Sequence, residues 1–335
     1  MALPGRGGIF VREITVRQAI NEAIREEMQR DERVFILGED IASYGGALKV
    51  TSGLYDEFGP ERVRDTPLAE NSIVGAAIGS AMINMRPIAE ISYIDFTAVC
   101  MDQIINQTAK WQYMTNGKIE LPLVIRTQGG GYRGNGAQHS QSLEAIFTHI
   151  PGLVVIMPST PFDFKGLLVS AIRDNNPAIF IEHKLLYNTK GFVPEKEYSI
   201  PFGVADVKKE GNDITVIATA YMVKKALEVA NEFSKQGIDI EVIDPRTLNP
   251  FDYETVFSSI KKTHRAVVVN EAYTTGSFAR QIASKISEEI FDELDAPVLC
   301  VGALDVPIPY SKVLEDYVLP SNEKITEIIN KVLDY

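Results

Sequence analysis

The acidic residue best placed for chemistry is Glu70, which precedes a segment built almost entirely from small residues. It ends the run 65–70 (Asp-Thr-Pro-Leu-Ala-Glu), and Gly75 and Gly79 lie within the helix predicted to follow. Each internal glycine costs a helix about 1 kcal/mol relative to alanine, a cost accepted where a backbone or a flat ligand approaches closely. A carboxylate in such a slot is poorly solvated, which favours the protonated form that proton transfer needs. The helix dipole alone also favours an acid here, so both interpretations stay open.

A second candidate is His139, which lies between a glycine-rich stretch at 129–136 and the polar triplet 140–142. An imidazole at a loop–helix junction can act as a general acid or a hydrogen-bond donor, or it can simply cap the turn. The glycines have the spacing of a dinucleotide-binding fingerprint but lack its strand–helix context, which favours a mobile loop or a close approach to a ligand. The histidines show no metal-ligand spacing.

Composition excludes several classes of protein. The 335 residues are 45% hydrophobic and 23% charged, with a net charge of −12 and no basic stripe, so neither nucleic acid nor an anionic membrane is an expected partner. Cys100 and Cys300 do not suggest a disulfide framework and fit a reducing compartment. Residues 1–10 lack a signal- or transit-peptide pattern, and no run reaches the ~20 apolar residues that span a bilayer. We therefore expect a soluble, cytoplasmic protein.

Alternating strands and helices predict an α/β protein of two domains with mostly parallel sheets. Thr15 and Gln18 form a capping box that opens a helix ending near Arg30. Apolar runs predict strands at 34–37, 87–91, 121–125, 153–157, 178–181, 214–218, 240–243, 266–269 and 298–301. Helical periodicity predicts helices at 96–114, 142–149, 162–174, 223–235, 253–261, 278–289 and 325–332. Because 183–201 looks irregular, the predicted division is a domain at 1–190, a linker at 191–202 and a domain at 203–335.

Motifs in a fixed order give the chain a specific family resemblance. They are 65–70 (DTPLAE), 86–90 (RPIAE), 137–142 (AQHSQS), 149–152 (HIPG) and 305–309 (DVPIP). Over essentially its whole length the chain resembles the β subunit of the thiamine-diphosphate-dependent decarboxylating component of 2-oxo acid dehydrogenase complexes, which are oxidoreductases. The segments 186–191 and 242–247 look most like acetoin dehydrogenase β subunits, with pyruvate and branched-chain 2-oxo acid versions as close alternatives. The resemblance implies a transketolase-like pyrimidine-binding domain followed by a transketolase C-terminal-like domain.

The resemblance implies roles for particular side chains. In the family, the glutamate at the position of Glu70 hydrogen-bonds a ring nitrogen of the cofactor's aminopyrimidine and promotes proton removal from the thiazolium carbon. Phe96 matches the position that packs on the pyrimidine ring, and Ser92 lies at a cofactor-binding position. His139 lies near the end of the site where the acyl group is transferred, so Glu70 and His139 are the implied catalytic residues.

Further sites are implied outside this centre. Glu39 and Asp102 are similar to acidic residues proposed to link two active sites by proton exchange, although a solvated surface explains each of them nearly as well. Residues that match a potassium site in some relatives are Leu123, Ala171, Ile172, Asp174 and Asn176. A helix C-cap with bound water is the alternative interpretation there. Glu293 and Asp295 resemble a region that docks a basic patch of the acyltransferase, and a solvated helix face is the alternative.

The family holds the cofactor's diphosphate through a metal with a GDG motif, which this chain lacks. The resemblance therefore implies that a separate α subunit supplies the diphosphate and Mg²⁺ site. The implied partners are this α subunit in a heterotetramer, a second β chain and the lipoyl acyltransferase core. Alternatives are a transketolase-type carbonyl transferase, a non-catalytic assembly subunit and a nicotinamide-binding dehydrogenase.

Overall fold

The structure is a computed structural model that describes residues 11–335, so the segment 1–10, where no targeting pattern is found, lies outside the described residues. The first part of the chain contains β1 (Val11–Thr15), α1 (Val16–Arg30), β2 (Val34–Gly38), α2 (Leu54–Phe58), β3 (Val63–Asp65), α3 (Glu70–Met82), β4 (Arg86–Ile91), α4 (Trp111–Met114), β5 (Val124–Gly129), α5 (Glu144–Thr148), β6 (Val154–Ile156), α6 (Pro161–Arg173), β7 (Ala178–His183) and β8 (Lys190–Pro194). The second part contains β9 (Asp206–Lys209), β10 (Ile214–Ala218), α7 (Tyr221–Ser234), β11 (Ile240–Asp244), β12 (Thr247–Asn249), α8 (Tyr253–Thr263), β13 (Ala266–Tyr273), α9 (Phe278–Glu289), β14 (Leu299–Ala303), α10 (Lys312–Val318) and α11 (Asn322–Leu333).

A sheet of mostly parallel strands organises the first part. Within residues 11–335 its strand order is β12-β6-β7-β5-β4-β2-β3, and every neighbouring pair is parallel except β12 with β6. Strand β2 is buried along its whole length, which accounts for its continuous apolar sequence. The predicted capping box is confirmed at the start of α1, where the Thr15 hydroxyl accepts from the Gln18 N–H and the Gln18 amide oxygen accepts from the Thr15 N–H. Helix α1 packs against α6, and α3 packs against β4.

The second part has its own sheet, with strand order β14-β13-β10-β11-β9. Strand β9 is antiparallel to β11, and the other neighbouring pairs are parallel. Helices α7 and α11 cover this sheet together, and α9 packs against β13 and β14. The predicted α/β fold class is confirmed in both parts. No helix within residues 11–335 has the length and apolar character needed to cross a bilayer.

The two parts are joined by a strand of the second part that pairs with the first sheet, and by buried charged side chains. Strand β12 follows β11 of the second sheet but pairs with β6 at the edge of the first. Beside it, the fully buried carboxylate of Asp163 on α6 lies 2.5 Å from Lys208 Nζ and 2.7 Å from Arg246 Nε. A buried carboxylate needs such partners because it has lost its hydration. Both connections tie α6 and β6 to the second part.

The helix predicted over 96–114 is irregular in the structure. It is replaced by a 3₁₀ segment (Ile94–Cys100), a π-helical segment (Gln103–Thr108) and the short α4. At the start, the Thr97 hydroxyl donates to the carbonyl of Ile94 at 2.6 Å, a local bond that competes with the regular helical ladder. The apolar periodicity was therefore informative about burial but wrong about regularity.

The structure also differs from the prediction in the start of one strand and in the segment that was expected to be irregular. The strand expected from residue 121 begins at Val124, because Pro122 has no N–H to donate to a neighbouring strand. The segment 183–201 is not entirely irregular, since β8 lies within it and pairs with β1 in a small antiparallel sheet. The domain division at 191–202 stays a prediction.

Candidate active site

Three side chains expected at the site meet at the carboxyl edge of the first sheet. Glu39 follows β2, Ser92 follows β4, and Glu70 opens the helix that comes after β3. These three strands are parallel neighbours, so the residues that follow them emerge at one edge. The Ser92 hydroxyl donates to Glu39 Oε2 at 3.2 Å. The sequence-predicted Glu39, Glu70 and Ser92 therefore belong to one site.

The electrostatics of this group favour a proton on Glu39. Burial raises the pKa of Glu39, and the negative charge of nearby Glu70 raises it further. Its second oxygen, Oε1, is buried and has no hydrogen-bond partner among the described residues. A buried polar atom without a partner calls for a water or a ligand. Burial and the charge of nearby Glu70 raise the pKa of the Cys100 thiol to about 12, which disfavours the thiolate form that a nucleophile needs.

An aromatic group that contains Phe96 and His139 forms a second component. The ring of His139 lies edge-on to Phe96, with centroids 5.2 Å apart, and to Tyr93, with centroids 4.9 Å apart. The buried Lys184 donates from Nζ to the backbone carbonyl of His139 at 2.6 Å. Both the ring and the backbone of His139 are therefore held in place, as a group that transfers protons requires.

Below the sheet edge lies a buried ionic group that the sequence analysis missed. Arg126 on β5 donates to Glu90 on β4 at 2.7 Å, and to both carboxylate oxygens of Glu182 on β7 at 2.7 and 3.0 Å. A cavity of about 10 Å³, room for one water, lies between this group and Ser92. Burial raises the pKa of Glu90, and Arg126 opposes the shift. The available signal was Arg126 itself, a charged residue directly after the apolar run 121–125.

Helix α3 exposes the small residues that were expected to permit a close approach. Ala76 and Gly79 are exposed, while Ala77 on the other face is buried. A Cβ atom added at Gly79 would meet nothing within 4 Å, and one added at Gly75 would meet only the Gln103 side chain, at ordinary contact distance. No element among residues 11–335 uses the space that these glycines leave.

The glycine-rich stretch 129–136 packs against other parts of the chain. A Cβ atom at Gly130, whose φ is +89°, would lie 2.1 Å from His183 Nε2. One at Gly131 would lie 2.4 Å from a methyl group of Leu319, which belongs to the second part of the chain. At these two positions the close approach that glycine permits is to other side chains of the protein.

The remaining predicted residues lie apart from this centre. Asp102 is exposed, and its carboxylate accepts from the Asn106 side chain at 2.7 Å, with no recorded contact to Glu39 within residues 11–335. Asp295 is exposed and lies 3.4 Å from Arg265, while Glu293 ends a 3₁₀ turn. Asp295 is therefore accessible to a partner, whereas Glu293 is half-buried.

The carbonyl groups predicted to bind potassium cluster at the end of α6, where Ala171, Ile172 and Asp174 lie. Arg86 donates to the carbonyls of Ile172 and Asp174 at 2.9 and 3.0 Å. The carbonyl of Leu123 accepts from the Ala178 N–H, and the Asn176 side chain donates to Asp174 Oδ1 at 2.8 Å. Each carbonyl oxygen keeps a second lone pair, so a cation would have to share these acceptors.

Comparison with known proteins identifies the family. Residues 12–190 match the transketolase pyrimidine binding domain, and residues 203–325 match the transketolase C-terminal domain. The acetoin:2,6-dichlorophenolindophenol oxidoreductase subunit beta of Bacillus subtilis (strain 168) is 46% identical, covering 97% of this chain and 98% of the relative. The pyruvate dehydrogenase E1 component subunit beta of Rickettsia conorii is 44% identical, covering 96% and 99%. The chain belongs to the β subunits of the 2-oxo acid and acetoin dehydrogenases.

Other relatives agree with this assignment. The 2-oxoisovalerate dehydrogenase subunit beta of Bacillus subtilis (strain 168) is 45% identical, covering 95% of this chain and 98% of the relative. A solved structure described as a split gene transketolase, an inactive beta4 tetramer, has a TM-score of 0.78 and covers 96% of this chain and 98% of its own. At 24% identity that likeness concerns the fold alone. The family resemblance inferred from the ordered motifs is confirmed.

This β-subunit family depends on thiamine diphosphate, and the sheet-edge residues fit the pyrimidine end of that cofactor. Glu39 contributes a buried oxygen without a partner, and Glu70 contributes a half-buried carboxylate at a helix N-terminus. Phe96 contributes a half-buried aromatic ring at the same edge. Carboxylates and an apolar face are the groups that a polar heteroaromatic ring would contact.

Five residues after His139 in the chain, Glu144 is a fully buried carboxylate at the start of α5. Neither of its oxygens has a hydrogen-bond partner within residues 11–335. Burial raises the pKa of Glu144 to about 7, and the charge of nearby Glu271 adds to the shift. This group is neutral in slightly acidic solution and becomes a costly buried charge at alkaline pH.

We expect Glu144→Gln to stabilise the protein at alkaline pH. The folded pKa of about 7 lies above the ordinary value of 4.5, so the carboxyl group favours folding below pH 4.5, and this contribution is lost as pH rises through 7. Glutamine avoids that loss, and the variant's free energy of unfolding should exceed the wild-type value by up to about 3 kcal/mol at pH 8 but by less than about 1 kcal/mol at pH 5. Urea denaturation measures both, with the exposed Glu327→Gln as control. Equal gains at both pH values would contradict the assignment.

Proposed function

We propose that this chain is the β subunit of a thiamine-diphosphate-dependent dehydrogenase that cleaves acetoin or a 2-oxo acid and passes the acyl unit to lipoyl groups of an acyltransferase. The observation that carries the proposal is the convergence of Glu39, Glu70 and Ser92 at one sheet edge. Acetoin is favoured as substrate by the segments 186–191 and 242–247, and pyruvate or a branched-chain 2-oxo acid is the alternative. A transketolase-type carbonyl transferase is the more distant alternative.

In this proposal Glu39 and Glu70 transfer protons to and from the pyrimidine ring. Burial and the charge of nearby Glu70 raise the pKa of Glu39, so proton exchange between these two carboxyl groups is part of the proposal. Ser92 orients Glu39 through its hydroxyl, and Phe96 offers its ring as a packing surface. When bound, thiamine diphosphate supplies the electron sink for carbon–carbon cleavage. Asp102 remains a candidate for a longer proton relay only if a partner subunit covers it.

The proposal requires an α subunit that contributes the diphosphate and Mg²⁺ site. Helix α3 supports this, because its exposed small residues lie between two exposed apolar side chains, Leu68 before the helix and Ile83 after it. Exposed apolar patches beside a functional site usually mark an interface. We expect a heterotetramer of α and β chains that contains a β–β pair. A cytoplasmic location remains a prediction from the sequence.

Replacing Glu70 with glutamine tests the proposed function. Glutamine keeps the shape of the side chain but cannot take up a proton, so hydrogen–deuterium exchange at the thiazolium carbon should slow about 10²–10⁴-fold. The measurement uses the reconstituted α–β complex with thiamine diphosphate, and acetoin, pyruvate and 2-oxoisovalerate are then compared as substrates. The chain without its α subunit should not accelerate this exchange above the rate of the free cofactor. An unchanged exchange rate in the variant complex would remove Glu70 from this role.

The potassium site is a separate proposal, which rests on the carbonyl groups that end α6. Carbonyl groups without helical partners at a helix C-terminus carry a partial negative charge that attracts a cation. The Arg86 guanidinium already donates to two of these carbonyls, those of Ile172 and Asp174. Exchanging potassium for tetramethylammonium at constant ionic strength should lower the melting temperature of the complex by about 2–4 °C. Identical melting curves in the two salts would argue against a bound ion.

Glu293 and Asp295 are proposed to dock the acyltransferase. Surface charge complementarity acts mainly on association rate and salt dependence. The double variant Glu293→Lys, Asp295→Lys should slow association with the acyltransferase about tenfold at low salt. Reversing the exposed Glu327 and Asp334 is the matched control, and α–β assembly should survive in both variants. Wild-type association kinetics in the first variant would exclude this surface.

A further inference from the structure

A single carboxylate from the second part of the chain contacts both ends of the segment that carries His139. Glu271 lies on β13 and is buried. Its Oε1 accepts from the Gly131 N–H at 2.6 Å and from the Ser142 hydroxyl at 3.3 Å. These two residues bracket the segment 131–142. Glu271 has no part in the proton transfers proposed for Glu39 and Glu70.

The other oxygen of Glu271 binds His183 in a defined orientation. Its Oε2 lies 2.7 Å from His183 Nε2, and the Leu185 N–H donates to His183 Nδ1 at 3.2 Å. Because Nδ1 accepts a hydrogen bond, the ring proton lies on Nε2 and is donated to Glu271. Burial by itself would raise the pKa of Glu271, but His183 and the donors at Gly131 and Ser142 together hold it below its ordinary value.

The contacts of Glu271 extend to His139 through the adjoining residue of the chain. Lys184 follows His183 and donates to the carbonyl of His139 at 2.6 Å. Within the segment, the Gln141 backbone and side chain both donate to Asp95 Oδ1, at 3.3 and 2.9 Å. The backbone around His139 is thus fixed by polar contacts on three sides.

The second part of the chain also contacts the segment elsewhere, since Glu315 accepts from the Gly134 N–H at 3.0 Å and the Pro320 carbonyl accepts from the Tyr132 hydroxyl at 2.7 Å. Glu271 differs from these contacts because it binds both ends of the segment.

We propose that Glu271 is a positioning residue, which fixes the segment 131–142 and thereby the location of the His139 imidazole at the site. The proposal rests on the proposed function and on the role near acyl transfer that the family resemblance implies for His139. It gives the second part of the chain a share in the chemistry of the first. Displacing a reacting group by about 1 Å can cost a hundredfold in rate, so a hold on the backbone is sufficient for such an effect.

The test is Glu271→Gln in the reconstituted α–β complex. An amide can offer its oxygen to Gly131 or to His183 but not to both, so one contact is lost. We expect amide hydrogen exchange within 131–142 to accelerate about tenfold or more. Acyl transfer from acetoin or pyruvate to an isolated lipoyl domain should fall about tenfold in kcat, with KM for the substrate unchanged. Exchange at the thiazolium carbon, which depends on Glu70, should stay at the wild-type rate.

Glu241→Gln is the matched control, because Glu241 is a buried carboxylate on the same sheet that also accepts from a glycine N–H, that of Gly211. This variant should alter neither readout. Ser142→Ala serves if Glu271→Gln does not fold, and it should slow transfer in the same direction without changing KM. Unchanged hydrogen exchange, or loosened exchange with normal transfer, would overturn the positioning role. His139→Ala with normal transfer would instead overturn the proposed role of His139, and it leaves the contacts of Glu271 intact.

Discussion

The parallel pairing of β3, β2, β4, β5 and β7 is the constraint on which the site depends. Parallel strands release the chain at the same edge of a sheet, whatever the distance between them in sequence. Glu39, Ser92 and Lys184 each follow one of these strands, and Glu70 opens the helix after another. The strand order therefore brings these residues together without any additional element. The side chains that follow the strands then determine the chemistry of the site.

Below that edge, Arg126 joins the three adjacent strands β4, β5 and β7. Its guanidinium binds Glu90 on one side and both oxygens of Glu182 on the other, and the Tyr187 hydroxyl also donates to Glu182. A buried ion pair gains little net stability over an apolar replacement, because desolvation offsets the attraction. What it adds here is geometric specificity, since a bidentate contact is lost if a strand shifts by one residue. The register of the strands that present Ser92 is thereby fixed.

Much of this arrangement could be predicted from the sequence, and the exceptions share a cause. Periodicity and apolar runs located most strands and helices, and the family resemblance assigned Glu70 and His139. The break in the helix over 96–114 was missed because a local hydroxyl bond overrides periodicity there. The contacts of the glycine-rich stretch were not predicted, because they come from distant parts of the chain. Glu271, for example, contacts Gly131 across 140 positions of sequence. Sequence patterns report local preference and burial, and such pairings depend on the folded topology.

Strand β12 bears on whether the two parts of this chain can exist separately. It leaves the second sheet and completes the edge of the first, beside β6. Cutting the chain near residue 200 would leave β6 with unpaired backbone groups, an edge that invites pairing with other chains. It would also strip the buried Asp163 of the cations on β9 and after β11. Although each part has its own sheet, we expect the two to fold together, and a gene fragment that encodes either half alone should yield an aggregation-prone product.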